Sequence, residues 1–191
     1  MDYTSFLLYC FIVTFTPGPT NIVILSIVNN FGFKKAMEYT FGATMAFGLL
    51  LGLSAVLNTL LITVIPKILL GMQVMGTLYM LYLAYQIYNM DSSDAAETKS
   101  GTFMSGFLMQ FLNPKVVLFT LTVIPSFVLP YYTKMSIVAS NVVLITWIGF
   151  LAFVTWVLFG TIFKRFLQKH KKALNITMAL CLVYATIMIW S

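Results

Sequence analysis

Two short groups of residues carry the chemistry that this sequence offers. The first is Thr16-Pro17-Gly18-Pro19-Thr20-Asn21, and the second is Asn113-Pro114-Lys115. Each group lies inside a strongly apolar stretch. Proline removes a backbone donor and clashes with the preceding helical turn, so each group predicts a break in an apolar helix. Within a membrane, the carbonyls that a break leaves free need partners from protein, water or ligand.

The two breaks favour a binding site over proline kinks that only shape packing. Pro17 lies about 13 residues into its apolar stretch and Pro114 about 11, which at 1.5 Å per residue places both near the middle of a bilayer. Half-helix ends that meet there would offer amides to the carboxylate of an amino acid and carbonyls to its ammonium group. Asn21 and Asn113, beside the prolines, add amide groups to this site.

Lys115 adds a positive charge to the second break. A lysine at the bilayer centre costs about 2.5–3.5 kcal/mol and usually faces a cavity or a partner. Because no Asp or Glu lies deep in an apolar stretch, its partner is expected to be a carbonyl freed around Pro114, water or a transported carboxylate. The alternative is an amine that reaches an interface. Lys115 is also the only internal candidate for carrying a proton, since burial disfavours its charged form.

The elements that must position these residues are membrane helices. The chain has 191 residues, of which 60% are hydrophobic and 8% charged, too few polar residues to cover a water-soluble globule. A span needs roughly 20 apolar residues, and the sequence predicts six spans, at 4–28, 37–64, 68–88, 103–129, 135–163 and 173–190. The fold class is therefore an all-α, polytopic membrane protein embedded in a lipid bilayer. The first span lacks a basic leader and a cleavage pattern, so we expect it to be retained.

The few basic residues predict the orientation of the spans. Odd-numbered connections carry eight Lys and Arg residues, against Lys67 and Lys134 in the even-numbered ones. The positive-inside rule therefore places the odd connections in the cytoplasm and both termini outside. The basic run 164–172 is explained by this topology, with contact to anionic lipid, so no nucleic-acid partner is expected.

The chain divides into two comparable halves. Residues 91–94 form a polar stretch in a linker at about 90–102, which separates repeats of three spans at about 1–90 and 100–191. Since three is an odd number, the second repeat would enter the membrane from the opposite side. We expect a single transporter domain over 1–191, with helices 1 and 4 broken at the proline groups.

Other functions have weaker support in the sequence. Cys10 and Cys181 could form the redox pair of a thiol-disulfide electron carrier, but they lack CxxC spacing. An ion or metal exporter would want oxygen ligands and carboxylates, which the spans lack. Without a Walker, HExxH or cysteine-histidine pattern, neither an enzyme nor a cofactor is expected. Gly48 and Gly52, with Gly42 and Ala46, could serve packing within the chain or a homodimer.

The two groups resemble the hallmark segments of the lysine-exporter, or homoserine/threonine-resistance, family. The resemblance rests on Pro17-Gly18-Pro19 with Asn21, and on the stretch 112–115 followed by Phe119 and 125–127. The stretch 174–184, near the end of the chain, is most similar to the cysteine/O-acetylserine exporter branch. Many family members carry Asp or Asn directly after the second proline, where this chain has Thr20, so the resemblance leaves an acceptor missing there.

The resemblance implies a bacterial inner-membrane exporter of amino acids or close derivatives, driven by the proton gradient. A dibasic substrate would want a buried carboxylate, so neutral amino acids are favoured, whether cysteine or O-acetylserine, or homoserine and threonine. The substrate-binding residues carried over to this sequence are the following: Pro17, Gly18, Pro19, Asn21, Asn113, Pro114, Lys115 and Asn175.

Overall fold

The computed structural model describes residues 2–89 and 101–188. Within these ranges the regular structure is helical throughout, with eight α-helices and one π-helical segment and no strand. This confirms the all-α class for the part of the chain that is described. Most of the expected linker, including Lys99, and the end of the last expected span lie outside the described residues.

Each half of the described chain begins with a bent helix pair. The first pair is followed by one long helix, and the second by three helices. Their bounds are α1 (Tyr3–Phe15), α2 (Pro19–Phe31), α3 (Phe33–Tyr88), α4 (Phe103–Leu112), α5 (Pro114–Val123), the π-helical segment (Ile124–Val128), α6 (Met135–Ile162), α7 (Lys164–Lys169) and α8 (Lys171–Met188).

Both predicted helix breaks are present. The axes of α1 and α2 differ by 47°, and those of α4 and the helix that begins at Pro114 differ by 68°. Pro19 and Pro114 occupy the first turns of α2 and α5, where a missing N–H costs no hydrogen bond. The prolines therefore end one helix and start the next.

Helix α3 differs from the expectation of a connection near Lys67. It is helical through that region, and its one non-helical residue is Leu57, with φ −102° and ψ 16°. A straight helix of 56 residues would be about 84 Å long. Ala36 and Ile87 nevertheless belong to one buried cluster, so the chain folds back and α3 forms two arms. The expected connection at Lys67 was wrong, because a charged residue in the sequence does not show where the backbone bends.

Length and composition identify membrane segments among the described residues. Phe33–Leu57 and Met135–Ile162 are each long and apolar enough to cross a bilayer, and each bent pair would make one further span. Val74–Tyr85 and Lys172–Tyr184 are shorter apolar helices. These six stretches correspond in order to the six expected spans, but two of them fall below the length of a full span.

The backbones of α3 and α4 touch at two glycines. A Cβ on Gly42 would lie 1.9 Å from the Phe103 carbonyl oxygen, and one on Gly106 would lie 2.1 Å from that of Tyr39. The Gly42 surface therefore packs within the chain and is not free for a second copy. Gly52, by contrast, has nothing within 4 Å of its Cβ position among the described residues.

Asp2 caps the first helix. Its carboxylate accepts hydrogen bonds from the Ser5 hydroxyl and the Thr4 N–H. These two hydrogen bonds, the Ser5 bond first, lower the pKa of Asp2 below its usual value. The start of α1 is thus fixed by a local side chain before the helix enters its apolar stretch.

Candidate functional site

The last backbone carbonyls of α1 all accept hydrogen bonds. A helix that ends inside an apolar environment requires this, because no water is there to replace the missing helical partners. Its last four carbonyls accept as follows: Ile12 from the Thr16 N–H at 3.1 Å, Val13 from the Thr16 hydroxyl at 3.2 Å, Thr14 from Asn21 Nδ2 at 3.2 Å, and Phe15 from Trp156 Nε1 at 3.2 Å. Side chains from α2 and α6 thus replace the helical partners that the break removes.

Lys115 binds the same break. Its Nζ donates to the Thr16 carbonyl at 3.3 Å and to the Thr16 hydroxyl at 3.0 Å. Asn21 Nδ2 donates to the Thr16 carbonyl as well, at 3.0 Å. The partners expected for Lys115 were a carbonyl freed around Pro114, water or a transported carboxylate. The structure instead pairs it with the carbonyl freed at Pro17, in the other half of the chain.

Thr20 joins the two breaks. Its hydroxyl oxygen accepts from Asn113 Nδ2 at 2.9 Å and from Gln110 Nε2 at 3.2 Å. All three residues are buried, with Gln110 0% and Thr20 3% exposed. Many family members carry Asp or Asn at the position of Thr20. In this chain the threonine hydroxyl supplies the acceptor there.

The two helices that follow the breaks, α2 and α5, differ in how their amide ends are capped. Asn113 caps α5, because its Oδ1 accepts from the Lys115 N–H at 3.1 Å and its carbonyl from the N–H groups of Val116 and Val117 at 3.0 Å. Gly18 precedes α2 without a side-chain cap. The amide end of α2 therefore keeps its partial positive charge for another group.

A cavity of about 30 Å³ lies between the two breaks. Its lining residues are Val13, Thr14, Gly18, Thr20, Asn21, Phe47, Asn113, Lys115, Val116, Phe119 and Phe153. This volume holds one or two water molecules and not an amino acid. Asn21 Oδ1 is buried at the cavity and has no hydrogen-bond partner among the described residues. The structure thus has a small, partly open site with one unused acceptor.

Glycine at position 18 lets Lys115 reach across the first break. A Cβ on Gly18 would lie 3.1 Å from Lys115 Nζ and 3.2 Å from its Cδ. Such contacts are tighter than ordinary van der Waals packing. Any larger side chain at this position would therefore press on the lysine that connects the two halves.

The structure brings together most of the residues that the sequence nominated. Gly18, Asn21, Asn113 and Lys115 line the cavity, while Pro17, Pro19 and Pro114 form the breaks around it. Asn175 lies elsewhere: it is buried in α8 and is not among the residues that line the cavity.

Sequence reasoning missed Thr16, Gln110 and Trp156. Thr16 directly precedes the first proline, where freed carbonyls are expected, and this position could have identified it. Gln110 lies one turn before Asn113 in an otherwise apolar helix. Trp156 does not stand out in the sequence, because aromatic residues are generally enriched at membrane interfaces. Only its contact with Phe15 distinguishes it from other tryptophans.

The two cysteines have different surroundings. Cys10 is buried in α1, within the cluster that contains Phe6 and Phe47, and Cys181 is exposed on α8. Both are free thiols. Their placement gives no support to a redox pair.

Comparisons with known proteins point to one family. The family model described as LysE type translocator matches residues 11–189. A cysteine/O-acetylserine efflux protein of Escherichia coli O1:K1 / APEC is 32% identical over 188 residues, which cover 98% of this chain and 96% of the relative. Proteins of the same description from Escherichia coli strain K12 and Shigella flexneri serotype 5b are 31% identical with the same coverage. No solved structure shows a significant match.

Proposed function

This chain belongs to the LysE type translocator family, and from that premise we propose that it exports small neutral amino acids or their close derivatives across the bacterial inner membrane. Membership makes it a multi-pass membrane transporter and not an enzyme. The relatives described as cysteine/O-acetylserine efflux proteins match nearly the whole chain, which favours substrates of that kind. Homoserine and threonine have the same charge and similar size.

The observation that carries this proposal is the meeting of three groups at one cavity. Lys115, the unpartnered Asn21 Oδ1 and the open amide end of α2 all adjoin it. The substrate carboxylate would bind the α2 amide end and Lys115, since both are positive. The substrate ammonium would donate to Asn21 Oδ1. An α-amino acid is the ligand that satisfies both ends together.

The charges around the cavity favour a neutral side chain on the substrate. Of the described residues that line it, Lys115 alone is charged. A second ammonium group on the substrate would find no carboxylate there, and an unpaired charge in a membrane interior is costly. A neutral substrate avoids this penalty because its own two charges are both paired.

The proposed architecture has six spans in a single domain, as two inverted repeats of three, with the site near the middle of the membrane. The bent helix pair at the start of each half supports the repeats. Contacts at the two ends support the orientation. A Cβ on Gly32 would lie 4.0 Å from Lys164 Nζ, so connections one and five are neighbours, while the Tyr3 and Tyr132 hydroxyls lie 3.1 Å apart at the other end.

Export is proposed to use the proton gradient through alternating access. The small cavity must enlarge to admit a substrate, and the two bent helix pairs provide hinges at Pro17 and Asn113. Lys115 is the proposed proton-carrying group. Proton-dependent export that is unchanged in Lys115→Met would overturn that assignment while leaving the export function intact.

The direct test is efflux from liposomes. Reconstituted protein in vesicles preloaded with radiolabelled cysteine, O-acetylserine, threonine or leucine is assayed with and without a pH gradient. We expect gradient-driven efflux of at least one of these, reduced at least about tenfold in Asn113→Ala and Lys115→Met, the scale that one lost charge-assisted contact produces. Lys134→Met is the matched control, because Lys134 lies exposed before α6.

Two outcomes would overturn the proposed function. Absence of efflux for every amino acid, with folded protein in the vesicles, would exclude an amino-acid exporter of this class. Loss of efflux in a Cys10→Ala, Cys181→Ala double variant that remains folded would favour the thiol-disulfide carrier instead.

A further inference from the structure

The cavity between the two breaks has a polar wall and an apolar wall. The groups assigned above to the substrate's carboxylate and ammonium lie on the polar wall. The apolar wall consists of the following side chains: Val13, Phe47, Val116, Phe119 and Phe153. If the substrate's charged groups face the polar wall, its side chain faces these residues.

The polar wall is tied across the two halves of the chain. Thr16 accepts from Lys115, and Thr20 accepts from Asn113. Rings on the apolar wall are held by packing alone: Phe47 stacks on Phe119 at 5.9 Å between centroids and meets Phe153 edge-on at 6.4 Å. Enlargement of the 30 Å³ cavity for a substrate is therefore easiest on the side of the rings.

Phe47 is in close contact with α6. Its ring lies against the backbone at Gly149, where a Cβ would be 2.5 Å from Cε1 and 2.7 Å from Cδ1 of the ring. No side chain other than hydrogen fits at Gly149 without moving the ring. Because the Phe47 ring also lines the cavity, we expect its displacement by a methyl group at Gly149 to change the space available to a substrate.

We infer that Phe47 determines the size of the substrate side chain that this carrier exports, and that Gly149 positions the Phe47 ring for that role. The inference rests on the proposed function, since it concerns the side chain of the same amino-acid substrate. Phe47 is the specificity-determining residue, and Gly149 acts through it. Neither residue stands out in the sequence, because both lie in uniformly apolar helices.

The test compares two variants with opposite expected effects. The measured quantity is the ratio of leucine to cysteine efflux from liposomes that contain both. Phe47→Ala enlarges the apolar wall and is expected to raise this ratio about tenfold, the lower end of what one or more methylene groups produce in an apolar pocket. Gly149→Ala displaces the ring and is expected to lower the ratio by a similar factor. Phe47→Leu is also expected to raise the ratio of leucine to cysteine efflux, with less disturbance of packing than Phe47→Ala.

Matched controls lie on the same pair of helices. Phe41 of α3 stacks on Phe150 of α6 at 5.9 Å, but it is exposed and away from the cavity. Gly52 has open space at its Cβ position. Phe41→Leu and Gly52→Ala are expected to keep the wild-type ratio.

The outcomes separate this inference from the proposed function. Wild-type efflux with an unchanged ratio in folded Phe47→Leu and Gly149→Ala proteins would overturn the role of Phe47. A ratio that moves equally in the Phe41→Leu control would also overturn it, since the effect would then not depend on the cavity. Absence of efflux from the wild-type protein would instead overturn the proposed function.

Discussion

Thr20 is a buried residue at which the two halves of the chain meet through side chains. Its single hydroxyl oxygen accepts from two buried amides, one in α4 and one at the start of α5. A shared acceptor of this kind fixes the spacing between two broken helices, because a shift of either helix breaks a hydrogen bond in the interior. Buried donors without a partner are costly, so the residue has both a structural and a functional role.

Replacing Thr20 by valine should destabilise the protein and reduce efflux. Valine keeps the shape but removes the acceptor, leaving Gln110 Nε2 and Asn113 Nδ2 without it, at about 1–3 kcal/mol for each orphaned group. Thermal unfolding in detergent and liposome efflux are the two measurements. Thr44→Val is the matched control, because the Thr44 hydroxyl only donates to the Thr40 carbonyl of its own helix. Equal melting temperatures for the two variants would contradict this account of Thr20.

Gly18→Ala should impair export through Lys115. The added methyl group would lie 3.1 Å from Nζ, so Lys115 must move away from Thr16 or the break must open. We expect efflux to fall roughly tenfold, the scale of a lost charge-assisted hydrogen bond. The same change at Gly52, which has space for a methyl group, is expected to leave efflux unchanged. Wild-type efflux in folded Gly18→Ala protein would show that the Lys115 contact is not needed.

At the scale of the helices, breaking α1 in the middle of an apolar region requires side-chain donors for its carbonyl end. Asn21 donates from the very next helix, and Trp156 donates from α6 across the fold. The same break also begins α2 without a side-chain cap, and residues of its first turn line the cavity. One interruption thus creates a satisfied carbonyl end and an uncapped amide end, which adds to the positive charge of Lys115 at the cavity.

Trp156→Phe tests how much the hydrogen bond to the Phe15 carbonyl contributes to stability. Phenylalanine retains most of the packing but cannot donate to the Phe15 carbonyl, which leaves an unpaired group at about 1–3 kcal/mol. The melting temperature in detergent should therefore fall. Trp147→Phe is the comparison, since Trp147 is exposed on the same helix and is expected to tolerate the change. A Trp156→Phe protein as stable as the Trp147→Phe protein would refute the capping role.

The sequence predicted the breaks, and some of the residues that line the cavity between them, because proline acts locally. Pro19 and Pro114 interrupt their helices whatever lies around them, and charged or amide residues next to them are conspicuous in an apolar sequence. Leu57 has no such signal, because it is neither proline nor glycine, and sequence polarity favoured Lys67 instead. Gln110 and Trp156 were missed for the same reason, since their roles depend on partners distant in the chain.

For the whole molecule, the charges at its two ends predict its orientation in the membrane. Basic residues cluster at the end where connections one and five meet, near Gly32 and Lys164. Connection four lies at the opposite end, next to the start of α1, through the contact between Tyr3 and Tyr132. The two ends therefore differ in charge, and the cytoplasm should face the basic end.

Cysteine labelling in a Cys10→Ala, Cys181→Ala background tests this orientation directly. Lys34→Cys lies at the basic end and Lys134→Cys at the other, and both positions are exposed. A membrane-impermeant maleimide should label Lys134→Cys in intact cells, and Lys34→Cys only after the inner membrane is permeabilised. Retained efflux in the cysteine-free parent would show that the thiols are dispensable. Labelling of Lys34→Cys from outside would reverse the topology, and the amide end of α2 would then face the opposite side during export.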